Sequence, residues 1–271
     1  MNLGKFLMSQ VSLYKRITPQ EFLAEYMNKY RKKYWKAKVN SVVKLFPNSF
    51  ESIKVLDLGC GGGVYSLEIA SKGATDITVV DKEGFYVKAA LLNLKIGQDV
   101  KAGGICGDCM CLPFKEETFD FIICVNVIER VSRGDRLLQE ASRILKKGGI
   151  FIVTARNATS LNSLKPIRYM RLYSPKLFIR KLMRHGFSVQ KHSGAYFIPY
   201  IRITNTFTSK PRLSQVIRSF FRKINESLEA RGDRSPINKY GWEHAYLCRR
   251  QLADVRHNKP KKGSQEISFF S

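Results

Sequence analysis

Val55-Leu56-Asp57-Leu58-Gly59-Cys60-Gly61-Gly62-Gly63 decides the fold of this chain. A short apolar run, Ile53–Leu58, breaks into glycines directly before the apolar helical pattern Val64–Ser71, with Gly73 placed as its C-cap. Glycine admits positive φ and lets backbone approach a ligand with no Cβ in the way, while the start of a helix offers unpaired N–H groups. The run therefore reads as a buried strand that delivers a ligand-binding loop at its carboxyl end.

Outward from the loop, strand and helix patterns alternate. Ile77–Asp81 and Phe119–Val125 read as strands, the latter apolar on both sides as central parallel strands are, and Val100–Cys106 reads as a weaker one because of Gly103-Gly104. Phe85–Leu94 and Asp135–Lys146 read as helices, the second stopped by Gly148-Gly149 before a strand over Ile150–Ala155. Ser174 and Pro175 open a helix through Arg184, since proline's missing N–H would be unpaired at that position anyway. Strands from Phe187 and over Ala245–Arg249 complete the order. Ahead of the glycine loop, Phe22, Leu23, Tyr26, Tyr30, Tyr34, Val39, Val42, Val43 and Phe46 recur at helical steps until Pro47-Asn48-Ser49.

This alternation predicts an α/β fold with a doubly wound, mostly parallel seven-stranded, Rossmann-like sheet. The expected domains are an N-terminal helical segment over 1–53 and a Rossmann-like domain over 54–252. The latter carries a basic helical insertion at about 198–244, before the last strand, with a helix near Leu213–Ala230. Residues 253–271 are expected to form a disordered tail.

The 271 residues hold 47 Lys and Arg against 22 Asp and Glu, a net charge of +25, and 44% are apolar, which excludes disorder throughout. The charge is uneven. Residues 54–153 are neutral, and residues 1–53 and 154–271 carry +7 and +18. Basic flanks attract nucleic acid, an anionic membrane surface or a phosphorylated substrate, or serve solubility as a solvated face. No run approaches the roughly 18 apolar residues of a spanning helix, and the opening residues lack a leader's apolar stretch. Six cysteines, several in apolar runs, fit a reducing compartment. The expectation is a cytoplasmic protein, with peripheral association at a membrane left open.

Two cofactor classes use a glycine loop of this kind, dinucleotides and the adenosyl cofactor of methyl transfer. The dinucleotide fingerprint wants a third glycine where this chain has Val64, which weighs against it. Asp81 ends the second strand, placed to accept both ribose hydroxyls. Asp108 follows the third in Gly107-Asp108-Cys109-Met110, and Arg143-Ile144-Leu145-Lys146-Lys147-Gly148-Gly149 precedes the fifth. This ordered set, from about Lys54 to Ala155, resembles the class I S-adenosylmethionine-dependent methyltransferases, particularly the ubiquinone-type branch. Met183-Arg184-His185-Gly186-Phe187 resembles the family's later helix-to-strand turn.

The resemblance implies S-adenosyl-L-methionine as cofactor, with Gly59, Cys60 and Gly61 along its methionine moiety and Asp57 near its amino group. Asp81 would bind the ribose and Lys82 flank the adenine. Asp108 would accept from the adenine amino group, with Cys109 and Met110 beside the ring. Asn126 would face the methionyl end and the substrate. Many relatives read Glu-His after the fourth strand, whereas this chain has Glu129-Arg130. The four histidines, His185, His192, His244 and His257, read as surface or capping residues, so no catalytic residue is assigned. Cys106, Cys109 and Cys111 lack the second ligand pair of a structural zinc site and read as buried or cofactor-lining thiols, so no metal is expected.

Three functions follow. The first is methyl transfer to a small-molecule or lipid-linked acceptor, O-directed, covered by the aromatic and basic region 156–244. The second is an RNA or protein methyltransferase using the basic flanks. The third is a methyltransferase-like binding protein without turnover.

Overall fold

In the computed structural model, β1 (Lys54–Leu58) is buried at every position but its first, as its apolar run requires. The described residues are 17–31, 33–95, 100–160, 170–195, 219–220, 223–224 and 241–252. Nearly all of the expected insertion at 198–244 and the expected tail over 253–271 lie outside them; of the helix expected near Leu213–Ala230, Ser219, Phe220, Lys223 and Ile224 are described and helical.

In chain order the elements are α1 (Pro19–Arg31), α2 (Lys33–Val43), β1, α3 (Val64–Ala70), β2 (Asp76–Asp81), α4 (Gly84–Lys95), β3 (Lys101–Cys106), β4 (Phe119–Cys124), α5 (Gly134–Ile144), β5 (Leu145–Arg156), α6 (Pro175–Arg184), β6 (Phe187–Ala195) and β7 (Glu243–Arg250). The strands form one seven-stranded sheet in the order β3-β2-β1-β4-β5-β7-β6, the doubly wound arrangement expected. β7 slots between β5 and β6, antiparallel to both, and the pairs from β3 through β5 are parallel. The order reverses between β1 and β4, the switch point at which open α/β sheets hold ligands beyond their strand carboxyl ends.

Because successive strand residues face opposite sides, the sheet divides the core in two. Val55, Phe121 and Ile123 pack with Val42, Phe46, Phe50 and Ile69 on one side. Leu56, Ile122 and Cys124 pack with Leu137, Leu138, Phe178 and Phe187 on the other.

Three local differences from the sequence reading have physical causes. The apolar stripe ahead of β1 is two helices, and Thr18 starts the first: its Oγ1 accepts from Glu21 N at 3.2 Å, while Glu21 Oε2 accepts from Thr18 N at 2.7 Å. This reciprocal capping box satisfies two otherwise unpaired donors. Second, α5 stops at Ile144 rather than Lys146. Leu145, fully buried, already pairs with Phe119, and pairing resumes at Phe121 with Ile150. The exposed Lys146 and Lys147 and Gly148, at φ 74°, loop out between these two contacts. Third, Gly73 lies two residues past the actual cap of α3, Ser71, in a left-handed turn at φ 94°. The start of α6 is as expected, with Ser174 at its N-cap and Pro175 at its first position. Among the described residues, no helix is long and apolar enough to cross a membrane.

Phe121 on β4 meets Phe50 edge-to-face at 4.8 Å and Phe46 at 5.9 Å, so it joins the sheet to the segment after α2. Phe121→Ala should destabilise the protein by about 3–5 kcal/mol in urea unfolding. A loss under about 1 kcal/mol would show that this cluster adds little to the core.

Candidate functional site

The parallel register brings the functional residues to one edge. Leu58 pairs with Val80 and Asp81 with Cys106, so the loop after β1 comes level with the last residue of β2. Gly59 N and Cys60 N both donate to Val80 O, at 2.7 and 3.0 Å, and Gly107 N donates to Asp81 O at 3.0 Å. The Asp81 carboxylate then grips the loop: Oδ2 accepts from Gly61 N at 3.0 Å and Oδ1 from Glu83 N at 3.1 Å. Each carboxylate oxygen keeps a further lone pair for a hydroxyl donor. Burial raises the Asp81 pKa above the usual carboxylate value, and the N–H groups of Glu83 and Gly61 oppose the rise.

The loop's glycines have different reasons. Gly59 stands at φ 79°, and a Cβ there would lie 2.2 Å from Val127 Cγ2, so the turn and its packing both require glycine. A Cβ on Gly62 would fall 2.4 Å from Tyr26 Cε1, because α1 lays that ring on the loop. Phe22, on the same helix, packs against Phe85 and Tyr86 at 5.2 and 5.5 Å, and Asn93 Nδ2 holds Gly62 O at 3.0 Å. Among the described residues, a Cβ on Gly61, at φ 51°, would meet only Tyr26 Oη at ordinary distance, 3.5 Å, which leaves this loop position open to a ligand.

Asp57 lies beneath the loop, 3% exposed, and accepts from Ser66 Oγ at 2.6 Å. Burial pushes its carboxyl up to about 7; the Ser66 bond opposes this and neighbouring Asp81 reinforces it. Cys60 is buried, and burial pushes its thiol upward too. At the ends of β2 and β3, Lys82 is exposed, its carbonyl accepting from Cys106 Sγ at 3.2 Å, and Asp108 is exposed, its Oδ1 accepting from Met110 N at 2.9 Å. Cys109 is partly buried, its thiol pushed up to about 12 by burial. Cys106 and Cys111 are exposed, whereas the sequence reading has them buried or lining a ligand. The oxygen acceptors of Asp81 and Asp108, the open backbone at Gly61 and the apolar body of Cys109 fit an adenosyl group carrying an amino acid.

Asn126 lies two residues past β4, beside the Val127 that packs on Gly59. Its backbone is left-handed at φ 59°, its N–H donates to Thr154 Oγ1 at 2.9 Å, and its Oδ1 accepts from Arg156 Nη2 at 3.2 Å. Arg156, the last residue of β5, also reaches Glu129 Oε1 through Nε and Glu243 Oε2 through Nη1, both at 3.3 Å, and lies 5.4 Å from the Trp242 ring centroid. Lys38 of α2 meets Glu243 Oε2 at 3.2 Å. His244, next on β7, is fully buried rather than a surface or capping residue; burial and neighbouring His192 hold its imidazole down near 3. His185 does cap α6, and its Nε2 meets Asp135 Oδ1 at 3.0 Å.

A separate groove of about 910 Å³ opens at the amino end of the parallel strands, lined by Glu117, Arg143, Lys147, Met183 and Arg250 among others. It lies opposite the edge at which such sheets hold their ligands.

Comparison with known proteins bears on the fold and the family. A family described as a methyltransferase domain matches residues 56–153. An uncharacterised protein of Methanocaldococcus jannaschii is 32% identical over 164 residues, covering 60% of this chain and 67% of that protein. A ubiquinone biosynthesis O-methyltransferase of Rhizobium leguminosarum bv. trifolii is 25% identical over 169 residues, covering 55% of this chain and 64% of that enzyme. Of solved structures, the [4+2]-cyclase SpnF shares the fold with a TM-score of 0.60 at 18% identity, covering 82% of this chain and 84% of that one. The chain spans about two thirds of the two curated relatives named here.

An aspartate ionises near pH 4 in the unfolded chain, and Asp57 does so near 7 in the folded one. Between those values only the folded chain keeps the proton, so this group's contribution to stability falls as pH rises from about 4 to 7. Asp57→Asn should remove that slope and gain on the native protein by a few kcal/mol (order of magnitude) across the interval. Parallel stability curves from urea unfolding at each pH would refute the assignment.

Proposed function

Because the chain belongs to the class I S-adenosylmethionine-dependent methyltransferases, we propose that it transfers the methyl group of S-adenosylmethionine to a hydroxyl of a small-molecule or lipid-linked acceptor. S-Adenosylmethionine is the cofactor of this enzyme class, and it supplies an electrophilic methyl on a sulfonium. What the protein adds is mainly orientation, which is worth up to about 7–11 kcal/mol in favourable cases.

In this reading Gly59, Cys60 and Gly61 run along the methionine moiety, with Asp57 beneath its ammonium group. Asp81 takes the ribose hydroxyls and Lys82 flanks the adenine. Asp108 accepts from the adenine amino group, with Cys109 and Met110 against the ring. Asn126 marks the methionyl end, from which the methyl leaves. The observation that carries the reading is the Asp81 carboxylate, bound to the open backbone of Gly61 and level with the strand ends on either side. The name of the rhizobial relative supports O-directed transfer. The +18 carried by residues 154–271 supports an acceptor, or a lipid surface presenting it, that is anionic.

Incubation with methyl-labelled cofactor and separate lipid and aqueous extracts of the native cells tests the acceptor class. Label in a methyl ether of either extract is expected, and label in RNA or protein alone would overturn the acceptor assignment. Calorimetry tests the ribose contact: Asp81→Ala should weaken S-adenosylhomocysteine binding by about 1.5–3 kcal/mol, the range for hydrogen bonds to a charged group. Unchanged affinity would remove Asp81 from the site.

A further inference from the structure

Along the carboxyl edge of the sheet the order is β3, β2, β1, β4, β5, β7. The adenosyl-binding candidates occupy the first three ends and Asn126 the fourth. The next two carry Arg156 and Glu243, and with Glu129 and Lys38 these make one buried ionic cluster on the far side of Asn126. Glu129 is 1% exposed and Glu243 3%, positions where charge is costly unless paired. Glu129 Oε1 takes Arg156, while Oε2 is buried with no hydrogen-bond partner among the described residues, a state shared in this region by Glu243 Oε1 and His244 Nδ1. A buried polar atom in that state calls for an explanation, and a bound ligand donor is one.

Transfer to a hydroxyl must also dispose of its proton. The residue that follows Glu129 is Arg130, whose guanidinium stays protonated and here donates from Nε to Asn126 O at 3.0 Å. His244, held down near 3, is a weak base, and Glu243 is held below the usual carboxylate range by Lys38 and Arg156 against its burial. Glu129 differs: burial outweighs Arg156 and raises its pKa, with Glu243 adding to the rise and Arg130 opposing it.

We propose that Glu129 is the residue that receives the acceptor hydroxyl, with Oε2 accepting its hydrogen bond and then its proton while Arg156 fixes the carboxylate beside Asn126. This rests on the O-methyl transfer reading above. The O–H proton passes to Glu129, the oxygen's electron pair forms the new carbon–oxygen bond, and the pair of the broken carbon–sulfur bond stays with the sulfur. The proton leaves to water as product departs. Because Glu129 is 1% exposed, the acceptor reaches Oε2 only when the side chains that cover it move aside.

The test compares the native enzyme with Glu129→Gln, which keeps shape and removes the base. Both receive methyl-labelled cofactor with a chloroform–methanol lipid extract and an aqueous metabolite extract of the native cells. Glu129→Gln should lower labelling by about 100-fold or more, the usual range for a lost base. It should flatten the acidic limb of the pH–rate profile and leave S-adenosylhomocysteine affinity within about twofold by calorimetry. Labelling within about threefold of native, or loss of S-adenosylhomocysteine binding alongside the rate, would overturn the proposal, the second by making Glu129 a structural support. If Glu129→Gln does not fold, Glu129→Asp should retain the acidic limb at reduced rate, and an unchanged rate would overturn it. No label in either extract from a native enzyme that binds cofactor would overturn the hydroxyl-acceptor reading itself, and the proposal with it.

Discussion

Leaving β1, the chain has no room for a side chain. Gly59 turns left-handed against Val127, whose methyl already occupies the place a Cβ would need. That constraint ties the loop after β1 to the turn after β4, the two strand ends that flank the switch point. It also sets where Gly61 N points, and Asp81 completes the turn by accepting it. Tyr26 then closes over Gly62, so α1 packs on the loop instead of standing free of the sheet. Removing the glycine turn would disturb the strand ends, the Asp81 contact and the helix above them together.

The two halves of the edge treat charge differently. On the side proposed to take the adenosyl group, carboxylates are held by neutral donors: Asp57 by a serine hydroxyl, Asp81 by backbone N–H groups. Among the described residues neither forms an ion pair with a cation, and burial pushes both up. Beyond Asn126, two carboxylates share Arg156 and Lys38, and the outcome depends on how many cations each meets. Glu243 pairs with both and is held down, whereas among the described residues Glu129 forms an ion pair with Arg156 only, and burial outweighs that pair and the weaker pull of Arg130. A ligand bearing an ammonium group suits the first half. A hydroxyl that must shed a proton suits the second.

Most of the architecture was legible because each buried parallel strand is a short apolar run and each sheet-packed helix has an apolar face. Phe119–Cys124 and the Leu137, Leu138, Ala141, Ile144 stripe are the plainest cases. Asp81 and Asp108 were legible as loop carboxylates after successive strands. The start of β5 was not, since Leu145 looks helical until its pairing with Phe119 is known. The capping box at Thr18 could have been read from Thr18-Pro19-Gln20-Glu21, a spacing that carries its own mechanism. The ionic cluster had no local signal at all: Lys38, Glu129, Arg156 and Glu243 meet only because β7 inserts beside β5 and α2 packs above its start. His244 was misjudged for the same reason, as its burial comes from strand order and not from its neighbours in sequence.

The most direct test of the account is a crystal structure of the protein with S-adenosylhomocysteine bound. The ribose hydroxyls should lie on Asp81, the adenine against Asp108, Cys109 and Met110, and the sulfur should point past Gly61 toward Asn126 and the Arg156 cluster. A ligand whose ribose lies away from Asp81, or whose sulfur faces away from Asn126, would contradict it.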